Sequence, residues 1–317
     1  MGLHTEAFLF FMNKRKPVGK FDVAGFAIAI AGALLFSTKA IIVKKAFADT
    51  TVDALTLLTL RMLFSLPFYL AAVFMVSRRE ETIPLSGQQW LKVIILGLFG
   101  YYLSSLFDFL GLQYISAGLE RLILFLYPTF SVLINVCIFK ERIYRNQKLA
   151  LLFTYAGIAI AYFGELQLEG ATTAFFWGSF LVFLCAITYS IYISGSGQMV
   201  SKVGANRFTA YAMLSATGGI FLHFMVAGSF TALQQGFTYW HYGLALAVMA
   251  TVIPSFLLSK ALRRIGINNV AIISSLGPVS TIVQAHYFLE EPFFAAQLVG
   301  TGLVLAGILL LSLQTKK

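Results

Sequence analysis

Five charged residues sit inside stretches otherwise apolar: Lys39, Arg61, Asp108, Glu120 and Arg121. A charge at the centre of a lipid-facing helix costs about 2.5–3.5 kcal/mol. Groups of both signs are therefore expected to turn inward and pair with one another. Three bases against two acids leave one surplus positive charge. That surplus suits a carboxylate or other anionic group on a bound molecule, with Asp108 or Glu120 taking a proton or an amine. The competing reading is an ion-pair network that only locks helices together, or helix ends that leave Glu120 and Arg121 interfacial. At about 1.5 Å rise per residue, the five lie roughly 6–12 Å below the same ends of four helices, in one layer.

Polar and aromatic residues continue from this layer at helical spacing. Glu120, Tyr127, Ser131 and Asn135 share one face, as do Tyr101, Ser105 and Asp108. Gly32, Phe36 and Lys39 form a third face, and Tyr189, Tyr192 and Ser196 a fourth. An aromatic-walled, partly polar cavity would suit an amphiphilic metabolite, although tyrosines at these positions equally suit plain packing. A deeper alternative site would use Tyr127, Tyr189 and Ser274. Pro128, Pro254 and Pro278 fall mid-span, where proline removes a donor and kinks a helix. Pro128 and Pro278 are candidate hinges; the alternative is a static kink. His223, Gln284 and His286 are expected to be hydrogen-bonded, with a proton relay as the sharper alternative. Cys137 and Cys185 lie in apolar runs as filler, with no disulfide or metal site implied. The chain has no HExxH, GxSxG or Walker lysine motif. No catalytic residue, metal or cofactor is expected, and no ATP-driven cycle.

The elements that must position these groups are membrane helices. The 317 residues are 59% hydrophobic and 11% charged, with a mean hydropathy of +0.83, far beyond what a soluble domain needs. Segments of about 20 apolar residues recur. We read ten, near residues 22–46, 53–77, 91–112, 116–139, 148–165, 175–196, 207–228, 240–262, 268–289 and 295–314. The expected fold class is an all-α membrane protein in which ten transmembrane helices form two inverted five-helix repeats. Residues 1–21 form a cytoplasmic N-terminal segment without the order of features of a signal peptide. Glu6 also occupies the position where myristoylation needs Ser or Thr.

Lys and Arg cluster in alternate loops. With the N-terminus inside, Lys14 to Lys20, Arg78 to Lys92, Lys140 to Lys148, Lys202 and Arg207, Lys260 to Arg264, and Lys316 and Lys317 carry the cytoplasmic charge. Only Lys44 and Lys45 fall outside. This asymmetry predicts an inner-membrane protein with both termini cytoplasmic. The net charge of +10 is thereby spent on topology and points to a lipid bilayer, not to nucleic acid. Small residues on the fifth and tenth segments, Gly157 with Ala161 and Ala296 with Gly300, allow close helix packing. Packing within the chain is the favoured use, and a homodimer the alternative.

One stretch occurs twice. The run from Gly111 aligns without a gap on the run from Ala261. Pro128 falls on Pro278, Glu141 on Glu291, and Ala156-Gly157-Ile158 on Ala306-Gly307-Ile308. Basic residues surround Glu141, whereas none lies between Arg264 and Lys316, so the two hairpins should turn on opposite faces. The front of each half matches more weakly, Ser37 with Ser190 and Met62 with Met213. An inverted repeat in an apolar chain is a transporter signature.

The order LYPTFSVL, FKERI and AGI, then LGPVSTIV, LEEPF and AGI, resembles EamA domains, the repeat of the drug/metabolite transporter superfamily. The resemblance covers 22–165 and 175–314. It implies a ten-helix bundle whose repeats line a central cavity, with the fifth and tenth helices peripheral. It implies transport, often export, of small organic molecules such as amino acids. Phe36-Ser37 stands where many relatives have Trp-Gly. The rival classes are an intramembrane enzyme and a non-transporting sensor or scaffold.

Overall fold

A computed structural model of the chain describes residues 22–79, 85–139, 145–233 and 236–313; Glu141, with Lys140 and Arg142, lies outside them. The described residues form helices and no strand. Helix α1 is Val23–Asp49 and α2 is Ala54–Arg79. Helix α3 runs Gly87–Gly97, passes through a π turn at Leu98–Leu103, and continues as Ser104–Gly111. Helix α4 is broken into Ala117–Leu124 and Tyr127–Phe139. Helices α5, α6 and α7 are Arg145–Glu169, Thr173–Val203 and Ala205–Ala227. Helix α8 is Phe237–Ala247, a π turn at Val248–Val252, and residues 253–265. Gly266, with φ of 79°, separates it from α9, which comprises residues 267–274 and Gly277–Leu289. Helix α10 is Ala295–Leu313.

Eight spans among the described residues are long and apolar enough to cross a membrane, from Val23–Asp49 to Phe237–Leu262, with a shorter apolar helix at Ala295–Gly307. The expected ninth segment is not a continuous apolar rod, because the break at Ser275-Leu276 divides it. Polar caps start several helices. The Asp22 side chain accepts from the Gly25 N–H, and Ser86 and Gln89 form a reciprocal capping box. Ser116 accepts from Leu119 N and Thr172 from Phe175 N.

The two halves share their irregularities at one spacing. The π turns begin at Leu98 and Val248, and the breaks fall at Phe125-Leu126 and Ser275-Leu276, each pair 150 positions apart. This offset is also that of Pro128 and Pro278. The prolines do not interrupt a running helix. Each stands in the first turn of a new one, where a missing N–H costs nothing. The mid-span discontinuity is the preceding two-residue turn.

Packing exchanges elements between halves. Helix α1 lies on α8 and α9, whereas α6 lies on α3 and α4. Helix α2 packs on α7, and α5 pairs with α10. At the last contact a Cβ added to Gly157 would lie 2.4 Å from the Gly300 carbonyl oxygen, and one added to Gly300 would lie 2.4 Å from that of Gly157. Gly164 likewise lies against Ala296. The small faces of α5 and α10 thus meet within the chain.

Candidate functional site

The embedded charges converge, but not as one evenly paired layer. Lys39 on α1 takes both acids: its Nζ lies 2.7 Å from Asp108 Oδ2 and 3.4 Å from Glu120 Oε1. Asp108 on α3 is 1% exposed and Glu120 on α4 is 0%. The Lys39–Asp108 contact is ionic without hydrogen-bond geometry, so both Asp108 oxygens and Glu120 Oε2 lack a donor. The arginines go elsewhere. Arg61 on α2 donates from Nε to Thr251 Oγ1 at 2.9 Å and from Nη1 to Ser105 Oγ at 3.4 Å. Its guanidinium lies 5.7 Å from the centre of the Phe109 ring. Arg121 donates from Nε to Thr281 Oγ1 and from Nη2 to the Phe36 carbonyl, both at 3.1 Å. Two positive charges are thus held by neutral oxygens, and one by two carboxylates.

Local structure explains these choices. The π turn in α8 lets Thr251 donate to the carbonyl of Leu246, five residues back, while its oxygen receives Arg61. Phe36 lies one turn before Lys39, so Arg121 reaches the α1 backbone beside the lysine. Both arginine contacts join halves: Arg61 of the first to Thr251 of the second, and Arg121 to Thr281.

The tyrosines form a connected wall. Tyr101 and Tyr192 join hydroxyls at 2.8 Å, with ring centres 4.9 Å apart. Tyr192 stacks on Tyr189 at 5.9 Å, and Tyr189 meets Tyr127 edge-on at 5.1 Å. Ser131 is buried with its hydroxyl unpartnered. Ser274 closes the last turn before the α9 break and is only partly buried. An apolar cavity of about 300 Å³ opens elsewhere, against the α4 break, lined by Ile123, Leu126, Tyr162, Ser179 and Phe180 among others. None of the residues expected at the central site lines it.

Each break is gripped by a serine from the opposite half. Ser190 on α6 donates to the Tyr127 carbonyl at 2.9 Å and to its own Ala186 carbonyl at 2.5 Å. Ser37 on α1 donates to the Gly277 carbonyl at 3.2 Å and to Ala33 at 3.0 Å. The acceptors, Tyr127 and Gly277, are again 150 positions apart. Sequence reasoning singled out neither serine as functional, nor Thr251 and Thr281. Hydroxyls in apolar helices usually bond their own preceding turn, as Thr154 and Thr301 do here, so nothing distinguished these four.

At the other end of α4, Glu291 caps a helix that is not its own. Its carboxylate accepts from Ala117 N at 3.0 Å and Gly118 N at 3.5 Å, a helix N-terminus where negative charge is favoured. Lys44 lies 3.6 Å from Glu291 and donates to the Ile115 carbonyl at 2.8 Å. Glu165 accepts from Ser116 N at 3.3 Å. His286 contacts the Glu291 carbonyl at 2.9 Å, and His223 contacts the Tyr102 hydroxyl at 3.0 Å. Gln284 donates to Ser280. Among the described residues, no three His, Cys, Asp or Glu side chains cluster to hold a metal ion.

Comparison with known proteins agrees with this architecture. The EamA-like transporter family model matches residues 23–163 and 176–313. The Bacillus subtilis protein named as the uncharacterized transporter YcbK is 29% identical over 288 residues, covering 88% of this chain and 89% of that protein. An uncharacterized transporter of Archaeoglobus fulgidus is 27% identical over 68% of this chain and 75% of its own length. One solved crystal structure superposes with a TM-score of 0.62 at 18% identity, over 93% of this chain and 99% of that one, a likeness of fold alone. With repeated π turns and repeated breaks, and a family match over both halves, the chain belongs to the EamA-like transporter family of the drug/metabolite transporter superfamily: it is a multi-pass membrane transporter.

Proposed function

We propose that this transporter is a secondary carrier that exports a small organic metabolite, such as an amino acid, by alternating access. In this reading ten crossings form two inverted five-helix repeats in the inner membrane, with both termini cytoplasmic. The observation that carries it is the cross-half anchoring of two embedded charges. Arg61 reaches Thr251 and Arg121 reaches Thr281, so any rocking of one half on the other must remake those contacts. Charges at a moving seam can couple cargo binding to that motion, whereas a static scaffold has no need of them. The cargo contacts would come from Lys39, Arg61, Asp108, Glu120 and Arg121, with Tyr101, Tyr127, Ser131, Tyr189 and Ser274 below them. Pro128 and Pro278, each starting the helix after a break, would sit at the flexing points.

Purified protein in liposomes, loaded with one metabolite of an amino-acid and organic-cation panel and assayed for exchange against the labelled form, tests the reading. Exchange of at least one compound is expected. Protein that exchanges none would favour a sensor or scaffold, and chemical conversion of the compound would favour an enzyme. Topology has its own test in intact cells lacking other cysteines. Phe293→Cys should react with an impermeant thiol reagent and Arg142→Cys should not; labelling of both, or only of the second, overturns the inversion.

A further inference from the structure

We propose that Asp108 and Glu120 together hold one exchangeable proton in the resting protein, and that a cargo ammonium group takes its place. The proposal rests on the transporter reading above and names the ion that reading leaves open. The two carboxyl groups come from different helices and interact side chain to side chain. Both are essentially without solvent, at 1% and 0% exposure. Three of their four oxygens have no hydrogen-bond donor. Two ionised carboxylates can only accept, so neither can satisfy the other. A single proton on one of them supplies the missing O–H donor and closes the pair.

Charge leads to the same state. Facing the pair are Lys39 from α1, Arg121 beside Glu120, and Cys185 from α6. Arg121 spends two donors on Phe36 and Thr281. One turn before Glu120, Glu165 of α5 accepts from Ser116 N, and the neutral Gln297 of α10 lies against Gly118. From α9 come the neutral Thr281 and, at the far end, His286. Arg61, the remaining charge near Asp108, is held by hydroxyls. The one ammonium within ion-pair distance thus serves two acids. In a medium of low dielectric, a second unbalanced negative charge is costly, and protonation removes it.

A protonated pair buried this deeply can exchange only when the seam opens. On release the Glu120 or Asp108 O–H bond breaks and the proton passes to water on the open face. An incoming ammonium then donates N–H bonds to the same orphaned oxygens and restores the charge balance. The two occupants exclude each other, which couples one proton to one ammonium-bearing cargo.

The first measurement is infrared spectroscopy of the native protein in lipid across a pH series, with the proton itself as the probe. A protonated-carboxyl stretching band is expected at neutral pH, and Glu120→Gln or Asp108→Asn should remove it while Glu165→Gln leaves it. Absence of the band from native protein overturns the proposal without needing any variant to fold. Its persistence in both Glu120→Gln and Asp108→Asn does the same. The second uses proteoliposomes and the metabolite that the native protein exchanges. A pH gradient should drive accumulation in the native protein. Glu120→Gln should lose that accumulation, whereas Glu165→Gln should keep it. Native exchange with no response to the gradient overturns the coupling. No native exchange of any compound overturns the transporter reading instead, and the infrared band then decides the proton alone.

Discussion

The two halves of this molecule share a backbone and differ in chemistry. Their π turns, their mid-helix breaks and the serines that grip those breaks recur at matching positions. The charges do not recur. Shifted by the 150 positions that relate Pro128 to Pro278, Asp108, Glu120 and Arg121 land on Leu258, Val270 and Ala271. With Ser37 laid on Ser190, Lys39 lands on Tyr192. Where the first half has an ammonium between two carboxyls, the second has a phenol bonded to Tyr101. On the transport reading proposed above, the duplicated part is what a pair of flexing repeats would need, namely a break and something to hold it, and the single part is what a particular cargo or ion would need. Conformational change and recognition should then be separable by mutation.

The largest test removes the lysine. Lys39→Met leaves two buried acids without their cation, and we expect a loss of about 3–5 kcal/mol in unfolding from lipid-mimetic detergent. Adding Asp108→Asn should recover most of that loss, since the remaining carboxyl can be neutral. Tyr192→Phe, the change at the matching position of the other half, should cost only about 1 kcal/mol, one hydrogen bond. Equal losses at the two positions would break the idea that the halves differ in electrostatic investment.

The α5–α10 seam joins the halves like for like, so it should respond symmetrically. Gly157→Ala and Gly300→Ala each drive a methyl into the opposing carbonyl, with an expected cost of about 1–3 kcal/mol apiece from overpacking. Thermal unfolding of both variants should show similar shifts. Tolerance of one and not the other would mean that the seam is not a true repeat.

The serine grips sharpen the comparison further. Ser37→Ala and Ser190→Ala each remove a hydroxyl bond to the opposite half, at about 0.5–1.5 kcal/mol. Both should change exchange rates in liposomes more than they change folding. An effect on rate from one serine alone would assign the moving break to one half.

The smallest expected effect is at the surface. Asp22, half-buried at the start of α1, accepts from the Gly25 N–H and lies 2.8 Å from Arg264 Nε. The Gly25 bond first, and then Arg264, hold its carboxyl below the ordinary 3.8. A depressed carboxyl stabilises the fold above its unfolded value, and that contribution disappears as pH falls through the folded value. Asp22→Asn should therefore flatten stability against pH only on the acid side of pH 4, the ordinary carboxylate range being about 3.9. The contribution lost is constant near neutrality, so a changed slope of stability against pH there would contradict this.

Much of this was legible in the residues. Composition alone demands helices, because lipid offers no partner to an open backbone. Pro128 and Pro278 marked the breaks to within a few residues, and the charged positions announced an interior cluster. Hydropathy and spacing are local properties, carried by each helix wherever it packs. What the tertiary structure decided is which charge meets which. Lys39 takes both acids, and both arginines turn to hydroxyls and a carbonyl of partner helices. That choice depends on helix rotation and on the exchange of α1 and α6 between halves, set by packing over the whole chain. A charge count along the sequence could show a surplus. Only distances of a few ångströms across helices show that it resides on the arginines, while the acids are left one positive charge short.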